Sequence, residues 1–391
     1  GQNMKTRERF HYMDNLRAVA LILGVIYHAS LAYSPFMANL WFTADQNNNA
    51  IFDILGHWLH LFRMPVFFII AGFFAYLLIE NKGIKSFLKH RTKRVLLPFI
   101  VFFPLLAGLF LHALKWGSQF PETLPPIFTL FEQVKDLPPS TMHLWFLWNL
   151  FGFSVLLSVL MFFRRVMLSV LKTLTNKWFL LFILPLLITP ALYSQFAPFP
   201  APDKYIPQFW SYGFYGILFL VGAGIFINQT VIKQLFPFTR YLLATAIISY
   251  IIFWQFMPPA LTIEQVIKFS QDGAIKVCGV KHLMHVLAQS ISVVYWSLLA
   301  LIFASRYLDH ANKFTRYITD SSYWVYLVHV PVLLYIQMPL LSLDTSIFLK
   351  FIIGVTITLI VSFASYHIFI RFSFIGKLLN GIKHNRTPQT V

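Results

Sequence analysis

Ten apolar stretches, each close to the length of a membrane-spanning helix, restrict the fold of this chain more than any other feature. A bilayer core about 30 Å thick takes about 20 apolar residues per helix. Hydrophobic residues make up 58% of the sequence and charged residues only 12%, which is too little charge for a soluble globule with so much apolar surface. We therefore predict an all-α, polytopic integral membrane protein. The predicted spans are 14–34, 55–79, 95–114, 142–163, 178–194, 209–228, 240–257, 282–305, 321–341 and 348–371.

Lysine and arginine are distributed unevenly between the predicted loops. With the N-terminus in the cytoplasm, 22 of the 31 lysines and arginines fall on the cytoplasmic side and 7 on the opposite side. Because cytoplasmic loops carry such an excess, both termini are predicted to be cytoplasmic. Topology then accounts for the net charge of +17, and nucleic acid is not expected as a partner. We predict one membrane domain over 1–391, with a cytoplasmic N-terminus (1–13), a transmembrane bundle (14–371) and a cytoplasmic tail (372–391).

Charged and polar side chains inside the predicted spans are the informative exceptions to this apolar background, because each is costly in lipid and tends to be functional. The first span carries Asp14, Arg17 and His28. Eleven residues separate Arg17 from His28, which is about three helical turns, so the two side chains share a face about 16 Å apart along the axis. Arg17 then lies at the cytoplasmic boundary, where it either binds an anion or only extends to the interface. His28 is either a functional group or a buried histidine that a neighbouring helix satisfies.

The second span places Arg63 near its middle, where an arginine must face the bundle interior and needs a carboxylate or an anionic ligand. Two histidine pairs, His57 with His60 and His282 with His285, have spacings that would suit a metal. No carboxylate or thiolate is placed to complete either site. The single cysteine, Cys278, also excludes a thiolate cluster and any intramolecular disulfide. We therefore expect no metal.

Three further segments combine basic or aromatic residues with a span boundary. Arg91 and Arg94 lie three residues apart at the cytoplasmic mouth of the third span, where both could bind one polyphosphate or simply belong to an inside-positive loop. His143 and Trp145 begin the fourth span on the far side of the membrane. Tyr323 and His329 lie in the ninth span. Each segment alone is also compatible with interfacial aromatics and a buried hydrogen-bonding histidine.

Taken together, these segments resemble the acyltransferase 3 family of integral membrane acyl-CoA transferases. The resemblance covers residues 14 to about 331 in the family's order, with Ala71 standing where the family usually shows a serine before the glycine. Within the family, the segment His60-Leu61-Phe62-Arg63-Met64 is most similar to members thought to add succinyl groups to osmoregulated periplasmic glucans. The matching positions are Asp14-Asn15-Leu16-Arg17, His28, Pro65 through Phe73, Arg91 and Arg94 before Pro98, His143 through Leu147, and Tyr323 through Pro331.

The resemblance implies a multi-pass enzyme of the bacterial inner membrane that uses succinyl-CoA or acetyl-CoA as donor substrate, with no tightly bound cofactor. The acceptor would be a hydroxyl of a periplasmic glycan. His28 would act as general base, because an ordinary imidazole pKa of about 6.5 leaves it able to take a proton near pH 7. Asp14 and Arg17 complete the predicted catalytic set. The predicted substrate-binding residues are Arg63, Arg91, Arg94, His143, Trp145, Tyr323 and His329.

Arg63 is expected to bind the carboxylate of a succinyl donor. A succinyl group carries a free carboxylate that needs a partner in a low-dielectric cavity, whereas an acetyl group does not.

Three alternatives remain open at the level of the sequence. The enzyme could be an O-acetyltransferase of another cell-envelope polysaccharide, which donor preference would distinguish. A glycan or lipid transporter would also have buried charge among many spans. Within the transferase hypothesis, His28 could itself be acylated before the sugar arrives. The sequence does not indicate the oligomeric state.

Overall fold

The computed structural model describes residues 10–272 and 276–381, and within these ranges the fold is helical, with an isolated bridge between Ser140 and Lys204 as the only strand-like pairing. Of the predicted cytoplasmic ends 1–13 and 372–391, residues 1–9 and 382–391 lie outside the described residues. The α-helices are α1 (His11–Ser30), α2 (Ala50–Arg91), α3 (Leu97–Gly117), α4 (Ile127–Gln133), α5 (Trp145–Leu160), α6 (Arg164–Leu174), α7 (Leu184–Tyr193), α8 (Phe209–Ser211), α9 (Ile217–Ile227), α10 (Val231–Leu235), α11 (Thr239–Gln255), α12 (Ile263–Asp272), α13 (Val280–Tyr307), α14 (Lys313–Leu340), α15 (Ile347–Ser365) and α16 (Phe374–Asn380).

Short 3-10 and π turns join several of these helices into longer runs, and eight such runs in the described residues are long and apolar enough to cross a membrane. The all-α membrane fold is therefore confirmed. The predicted second and third spans share the 68-residue run Ala50–Gly117, which is interrupted at Gly83, where φ is 83°. The predicted fifth span corresponds to the shorter apolar helix Phe179–Tyr193. The count of ten spans and the cytoplasmic termini remain predictions.

Large apolar side chains cover much of the outside of the bundle. Their exposure would be costly in water but is favourable against lipid tails. Examples on the outer helices are Ile100, Leu105, Leu111, Ile248, Ile252, Ile352 and Ile360. The interior is filled by a second apolar set rich in phenylalanine, including Phe68, Phe73, Phe153, Phe214 and Phe219. The bundle thus has an apolar core and an apolar surface, as expected of a protein whose solvent is a bilayer.

Helix α1 lies in the centre of the bundle, where α2, α13, α14 and α15 pack around it. Helices α2 and α9 make the most extensive helix pair, and two glycines allow their close approach. A Cβ atom at Gly72 would collide with the backbone carbonyl of Phe219, and one at Gly222 would collide with the carbonyl of Ile69. Small residues allow this close packing of helices in a membrane. The pairing fixes α2, and therefore Arg63, against the core.

Three connections pack together at the end of the bundle that we predict to be non-cytoplasmic. The loop 34–49 contributes Phe42, whose ring stacks on that of Phe131 in α4 with centroids 6.0 Å apart. Leu40 and Phe42 join a hydrophobic cluster with residues of α4 and α12. The loop 34–49 and the connections that contain α4 and α12 form a layer over the end of α1, which we call the loop layer. The chain beyond Ser30 therefore folds back over this helix end.

Local signals in the sequence explain where several helices begin. The side chain of Asn49 accepts a hydrogen bond from the backbone of Ile51 at the start of α2. Asn312 and Thr315 form a capping box at the start of α14. These side chains satisfy backbone N–H groups that have no partner within the helix. The caps set the start of α2 and α14, the two helices that carry Arg63 and His329.

Candidate active site

His28 and His329, which the sequence predicts separately, form a hydrogen-bonded pair between α1 and α14. The Nε2 atom of His329 lies 3.2 Å from Nδ1 of His28, and the ring centroids are 5.0 Å apart. Nδ1 of His28 also lies 2.8 Å from the carbonyl oxygen of Gly24, one helical turn earlier. His329 is buried, whereas His28 is only half-buried. The pair leaves Nε2 of His28 without a hydrogen-bond partner among the described residues.

The depth of His28 is set by its surroundings. It lies in the last turn of α1, which ends at Ser30. The residues that follow, Leu31, Ala32 and Tyr33, are nevertheless buried. The Trp41 ring, from the loop layer, lies 6.1 Å from the His28 ring. The loop that carries Trp41 therefore lies beside the His28 ring, which stays partly exposed.

His143 and Tyr326 extend this cluster. The His143 ring lies 6.3 Å from that of His329 and nearly perpendicular to it. Its Nε2 is 2.8 Å from the carbonyl oxygen of Leu327, and the Tyr326 hydroxyl donates to the carbonyl oxygen of His143 at 2.8 Å. Since Nε2 of His143 donates to a carbonyl, Nδ1 carries the lone pair, and this buried atom has no hydrogen-bond partner. A hydrogen-bond acceptor is thus available beside the histidine pair.

Trp145 does not contact the histidine pair directly. Its ring packs on Tyr215 and Phe68, at centroid distances of 5.3 and 6.0 Å. Both of these neighbours are fully buried. Trp145 therefore lines the wall behind the cluster, and nothing in these contacts places it on a substrate.

Arg63 lies beside α1 one turn before His28. A Cβ atom at Gly24 would be 3.0 Å from its Nη1. Its guanidinium lies over the ring of Tyr27, 4.9 Å from the centroid, and Nη1 donates only to the sulfur of Met64, a weak acceptor, at 3.1 Å. The side chain is buried, its Nε has no hydrogen-bond partner, and within residues 10–272 and 276–381 it forms no ion pair with a carboxylate. A buried cation in this state is suited to binding an anion.

Arg17 and Arg91 lie together at the end of α1 that we predict to be cytoplasmic. Arg17 donates to a carboxylate oxygen of Asp14 at 2.8 Å. Arg91 is close enough to Arg17 for the two charges to repel each other. The Nε atoms of both arginines are buried and have no hydrogen-bond partner. One carboxylate beside two cations leaves a net positive site, which favours an anion.

Arg94 is engaged differently from Arg91. Its Nη1 donates to the carbonyl oxygens of Lys377 and Leu378, at 3.0 and 3.1 Å, in the last turn of α16. A cation at these last-turn carbonyls is favourable, because the C-terminal end of a helix dipole is negative. Tyr323 donates to the backbone carbonyl of Arg94 at 2.8 Å. The two arginines that the sequence pairs are therefore separated by function: Arg94 anchors α16, and Arg91 faces Arg17.

A buried ion pair supports the loop layer, and sequence reasoning missed it. Lys350 in α15 donates to Asp45 at 2.7 Å, and the two side chains are only 2% and 4% exposed. Lys350 falls inside the predicted span 348–371, and a lysine inside an apolar stretch indicates a buried partner. The pair ties the loop that carries Trp41 to the bundle.

One member of each histidine pair considered for a metal makes a hydrogen bond to protein, whereas Nε2 of His57 and Nε2 of His285 are buried without a hydrogen-bond partner in the described part of the chain. His60 lies 3.3 Å from the Tyr27 hydroxyl through Nδ1 and 2.7 Å from the carbonyl oxygen of Phe199 through Nε2. His282 lies 2.9 Å from the carbonyl oxygen of Tyr193. Among the described residues, no group of three histidine, cysteine or carboxylate side chains is arranged to hold a metal.

The polar groups along α1 therefore form a series in one direction. An electropositive site at Arg17 and Arg91 is followed by the unpaired guanidinium of Arg63, about 10 Å along the helix from Arg17 at 1.5 Å per residue. The His28 imidazole comes one turn later. Such an arrangement could bind a long anionic molecule along α1 and accept a proton at its far end.

The chain is similar to known proteins over almost its whole length. The family model of the acyltransferase domain, acyltransferase 3, matches residues 10–367. Glucans biosynthesis protein C of Escherichia coli strain SMS-3-5 is 24% identical over an alignment of 390 residues, which covers 96% of this chain and 95% of the relative. The protein of the same name from E. coli strain K12 has the same identity and coverage. No solved structure matches the chain significantly. All predicted site residues, from Asp14 to His329, lie within the matched range.

Proposed function

Because this chain belongs to the acyltransferase 3 family, we propose that it is a membrane O-acyltransferase that moves a succinyl group from cytoplasmic succinyl-CoA to a hydroxyl of a periplasmic glycan. The main support is the imidazole of His28, which is held by Gly24 and His329 and keeps Nε2 free, one turn from the unpaired guanidinium of Arg63. The name of the relatives, glucans biosynthesis protein C, supports a glycan as acceptor.

In the proposed reaction, His28 acts as general base. Its Nε2 takes the proton of the acceptor hydroxyl as the hydroxyl oxygen attacks the thioester carbonyl carbon. The carbon–sulfur bond then breaks, and the coenzyme A thiolate leaves with the proton that His28 had taken. The ester of the glycan and free coenzyme A are the products, and His28 returns to its neutral form.

The donor is proposed to lie along α1. Coenzyme A carries several phosphate charges, and the two cations at Arg17 and Arg91 have Nε–H groups without protein partners. Guanidinium groups bind phosphates through paired hydrogen bonds. With the phosphates there, the pantetheine arm would follow α1 past Gly24, and the thioester would lie beside His28.

The succinyl specificity rests on Arg63. In a succinyl group the carboxylate and the thioester carbonyl are at opposite ends of a four-carbon unit. Nη1 of Arg63 lies beside Gly24, and Gly24 is about one helical turn before His28 in α1. The guanidinium and the imidazole are therefore separated by a similar length. An ionised carboxylate would be too costly to bury without a cation, and Arg63 is a buried cation without a carboxylate.

The acceptor is proposed to enter from the side of the loop layer. The rings of Trp41 and His143 both lie near the histidine pair. Nε1 of Trp41 and Nδ1 of His143 are buried and have no hydrogen-bond partner in the described part of the protein. One is a hydrogen-bond donor and the other an acceptor, which suits a sugar hydroxyl. The proposed location is the bacterial inner membrane, with this layer facing the periplasm.

The test is transfer by the purified protein in detergent. Succinyl-CoA with a radiolabelled succinyl group is supplied together with a periplasmic glucan, and labelled glucan is measured. Transfer in the absence of a sealed compartment supports an enzyme, whereas movement of glucan across proteoliposomes without acylation would support a transporter. His28→Ala should lower the rate by about 10²–10⁴-fold, the usual contribution of a general base. Equal rates for the variant and the wild type would refute the role of His28.

The matched control for His28→Ala is His112→Ala. His112 lies on α3 and its Nδ1 is 2.6 Å from the Tyr335 hydroxyl, in an exposed pair away from the cluster. Its replacement removes an imidazole of the same kind from the same bundle and should leave transfer unchanged.

A further inference from the structure

We propose that His329 is a positioning residue for His28: it accepts the Nδ1–H of His28 and thereby holds the ring in the tautomer whose Nε2 is the base. This inference rests on the proposed function, in which His28 takes the proton of the acceptor. It replaces the substrate-binding role that the sequence suggests for His329. The argument depends on which ring nitrogens face carbonyl oxygens, because a carbonyl can only accept a hydrogen bond.

The tautomer of His329 follows from its contacts within α14. Its Nδ1 lies 2.8 Å from the carbonyl oxygen of Tyr326 and 3.1 Å from that of Val325. Both partners are acceptors, so Nδ1 must carry the hydrogen. In a neutral imidazole the other nitrogen then has the lone pair. Nε2 of His329 is therefore an acceptor, and it is the atom that faces His28.

The tautomer of His28 follows in the same way. Its Nδ1 faces two acceptors, the carbonyl oxygen of Gly24 at 2.8 Å and Nε2 of His329 at 3.2 Å. Nδ1 must therefore carry the hydrogen, which it shares between them. The lone pair of His28 is then on Nε2, the nitrogen that has no hydrogen-bond partner in the described part of the chain. Both rings thus have one arrangement of hydrogens that satisfies every contact.

The same contacts explain what His329 contributes when the proton moves. As Nε2 of His28 takes a proton, the ring becomes positively charged and its Nδ1–H becomes a stronger donor. The lone pair of His329 then stabilises the charged ring through a charge-assisted hydrogen bond. Without His329, the Nδ1–H of His28 would keep only the carbonyl of Gly24 as acceptor, and the tautomer would be held less firmly.

The burial of His329 favours positioning over substrate contact. The side chain is only 3% exposed, and both ring nitrogens are already used by Tyr326, Val325 and His28. A substrate would have to break one of these bonds to reach it. His28 is the partly exposed member of the pair, and we place the reaction there.

The kinetic test compares two replacements of His329. His329→Leu removes the acceptor, whereas the carbonyl of His329→Gln can still accept the Nδ1–H of His28. We expect the leucine variant to lose about tenfold in kcat, less than the about 10²–10⁴-fold that a general base contributes in full, with an unchanged KM for succinyl-CoA. The glutamine variant should recover most of the rate. His112→Leu serves as the matched histidine replacement. Equal kcat for the leucine variant and the wild type, or equal losses in the leucine and glutamine variants, would overturn the proposal.

The second readout is the tautomer of His28. Nitrogen-15 NMR of histidine-labelled protein in proteoliposomes distinguishes protonated from unprotonated ring nitrogens, and the His28 signals are identified by their loss in His28→Asn. The wild type should show Nδ1–H and an unprotonated Nε2, and His329→Leu should shift the Nδ1 signal or mix the tautomers. Nε2–H in the wild type would refute the proposal.

Failure of this inference can be told apart from failure of the proposed function. If His28→Ala abolishes transfer while His329→Leu changes neither kcat nor the His28 spectrum, only the positioning role is wrong. If His28→Ala retains transfer, the general base itself is wrong, whatever the spectrum of His28 shows.

Discussion

Gly24 in α1 and Arg63 in α2 fit against each other so closely that a Cβ atom at residue 24 would lie 3.0 Å from Nη1 of Arg63. The missing side chain leaves room for the guanidinium beside α1. The carbonyl oxygen of the same glycine lies 2.8 Å from Nδ1 of His28. Gly24 therefore links the proposed anion site and the proposed base on one turn of helix, which the sequence motifs alone did not indicate.

The first prediction concerns this contact. Gly24→Ala should displace the guanidinium of Arg63 by a few tenths of an ångström and lower succinyl transfer more than acetyl transfer. The measurement is kcat/KM with each donor. Gly108→Ala on α3 is the matched control, since a Cβ there meets nothing within 4 Å. If both glycine variants gave the same donor ratio, the contact would have no part in donor choice.

The second prediction concerns the charge of Arg63. Arg63→Met keeps a long apolar side chain but removes the cation. A hydrogen bond to a charged group contributes about 1.5–3 kcal/mol, so kcat/KM for succinyl-CoA should fall by about tenfold or more. The value for acetyl-CoA should change little. Equal losses for both donors would mean that Arg63 is structural, with Tyr27 as its main contact.

The third prediction separates the two arginines at the start of the third predicted span. Arg91→Gln should raise the KM for acyl-CoA by about tenfold or more, because a phosphate contact is lost. Arg94→Gln should raise it less, because the Arg94 guanidinium is bonded to Lys377 and Leu378. Initial rates against donor concentration for the two variants provide the test. A larger rise in KM for Arg94→Gln than for Arg91→Gln would contradict the assignment.

The fourth prediction concerns the packing of α2 on α9. Gly72→Ala would drive a methyl group into the backbone carbonyl of Phe219, and overpacking of this kind destabilises by about 1–3 kcal/mol. The midpoint of thermal unfolding in detergent should fall for Gly72→Ala. It should not fall for Gly108→Ala, which is also in a helix but has open space. An unchanged midpoint for Gly72→Ala would show that α2 and α9 can move apart without loss of stability.

Much of the fold could be predicted because lipid imposes a simple rule on sequence. A helix that crosses a bilayer must be apolar for about 20 residues, so each predicted span corresponds to a helix in the structure. The same rule exposes His28, Arg63 and His329 as exceptions. The rule does not say which of these side chains contact each other. The approach of His28 to His329, 301 residues apart, depends on how α1 and α14 pack.

Other features could not be predicted because their sequence signals are weak or ambiguous. Trp41 and Asp45 lie in a connection of mixed composition between two predicted spans, where no motif marks them. Gly24 is one of many small residues in an apolar span, and only the position of Arg63 gives it meaning. Arg91 and Arg94 look equivalent in sequence, yet the docking of α16 gives them different partners. In each case a contact between distant segments decides the role.

The buried pair of Lys350 and Asp45 gives the last prediction. Both side chains are nearly inaccessible and 2.7 Å apart. Removal of one partner of such a pair costs about 3–5 kcal/mol, because the other charge stays buried without a counterion. Lys350→Met should therefore lower the free energy of unfolding strongly, as measured by denaturation in detergent. The Asp45 side chain also accepts a hydrogen bond from the backbone N–H of Asn47, and its own backbone N–H donates to the carbonyl of Ala32. Loss of the pair should therefore loosen the loop that carries Trp41 and reduce transfer.

A double replacement distinguishes the loss of the pair from a general defect at residue 350. Asp45→Asn with Lys350→Met removes both charges but keeps an oxygen for the backbone of Asn47. Replacing a buried pair by uncharged groups is often neutral, so the double variant should be more stable than Lys350→Met and should regain transfer. If Lys350→Met alone were as stable as the wild type, or the double variant were less stable than the single one, the pair would not be what holds the loop layer over His28.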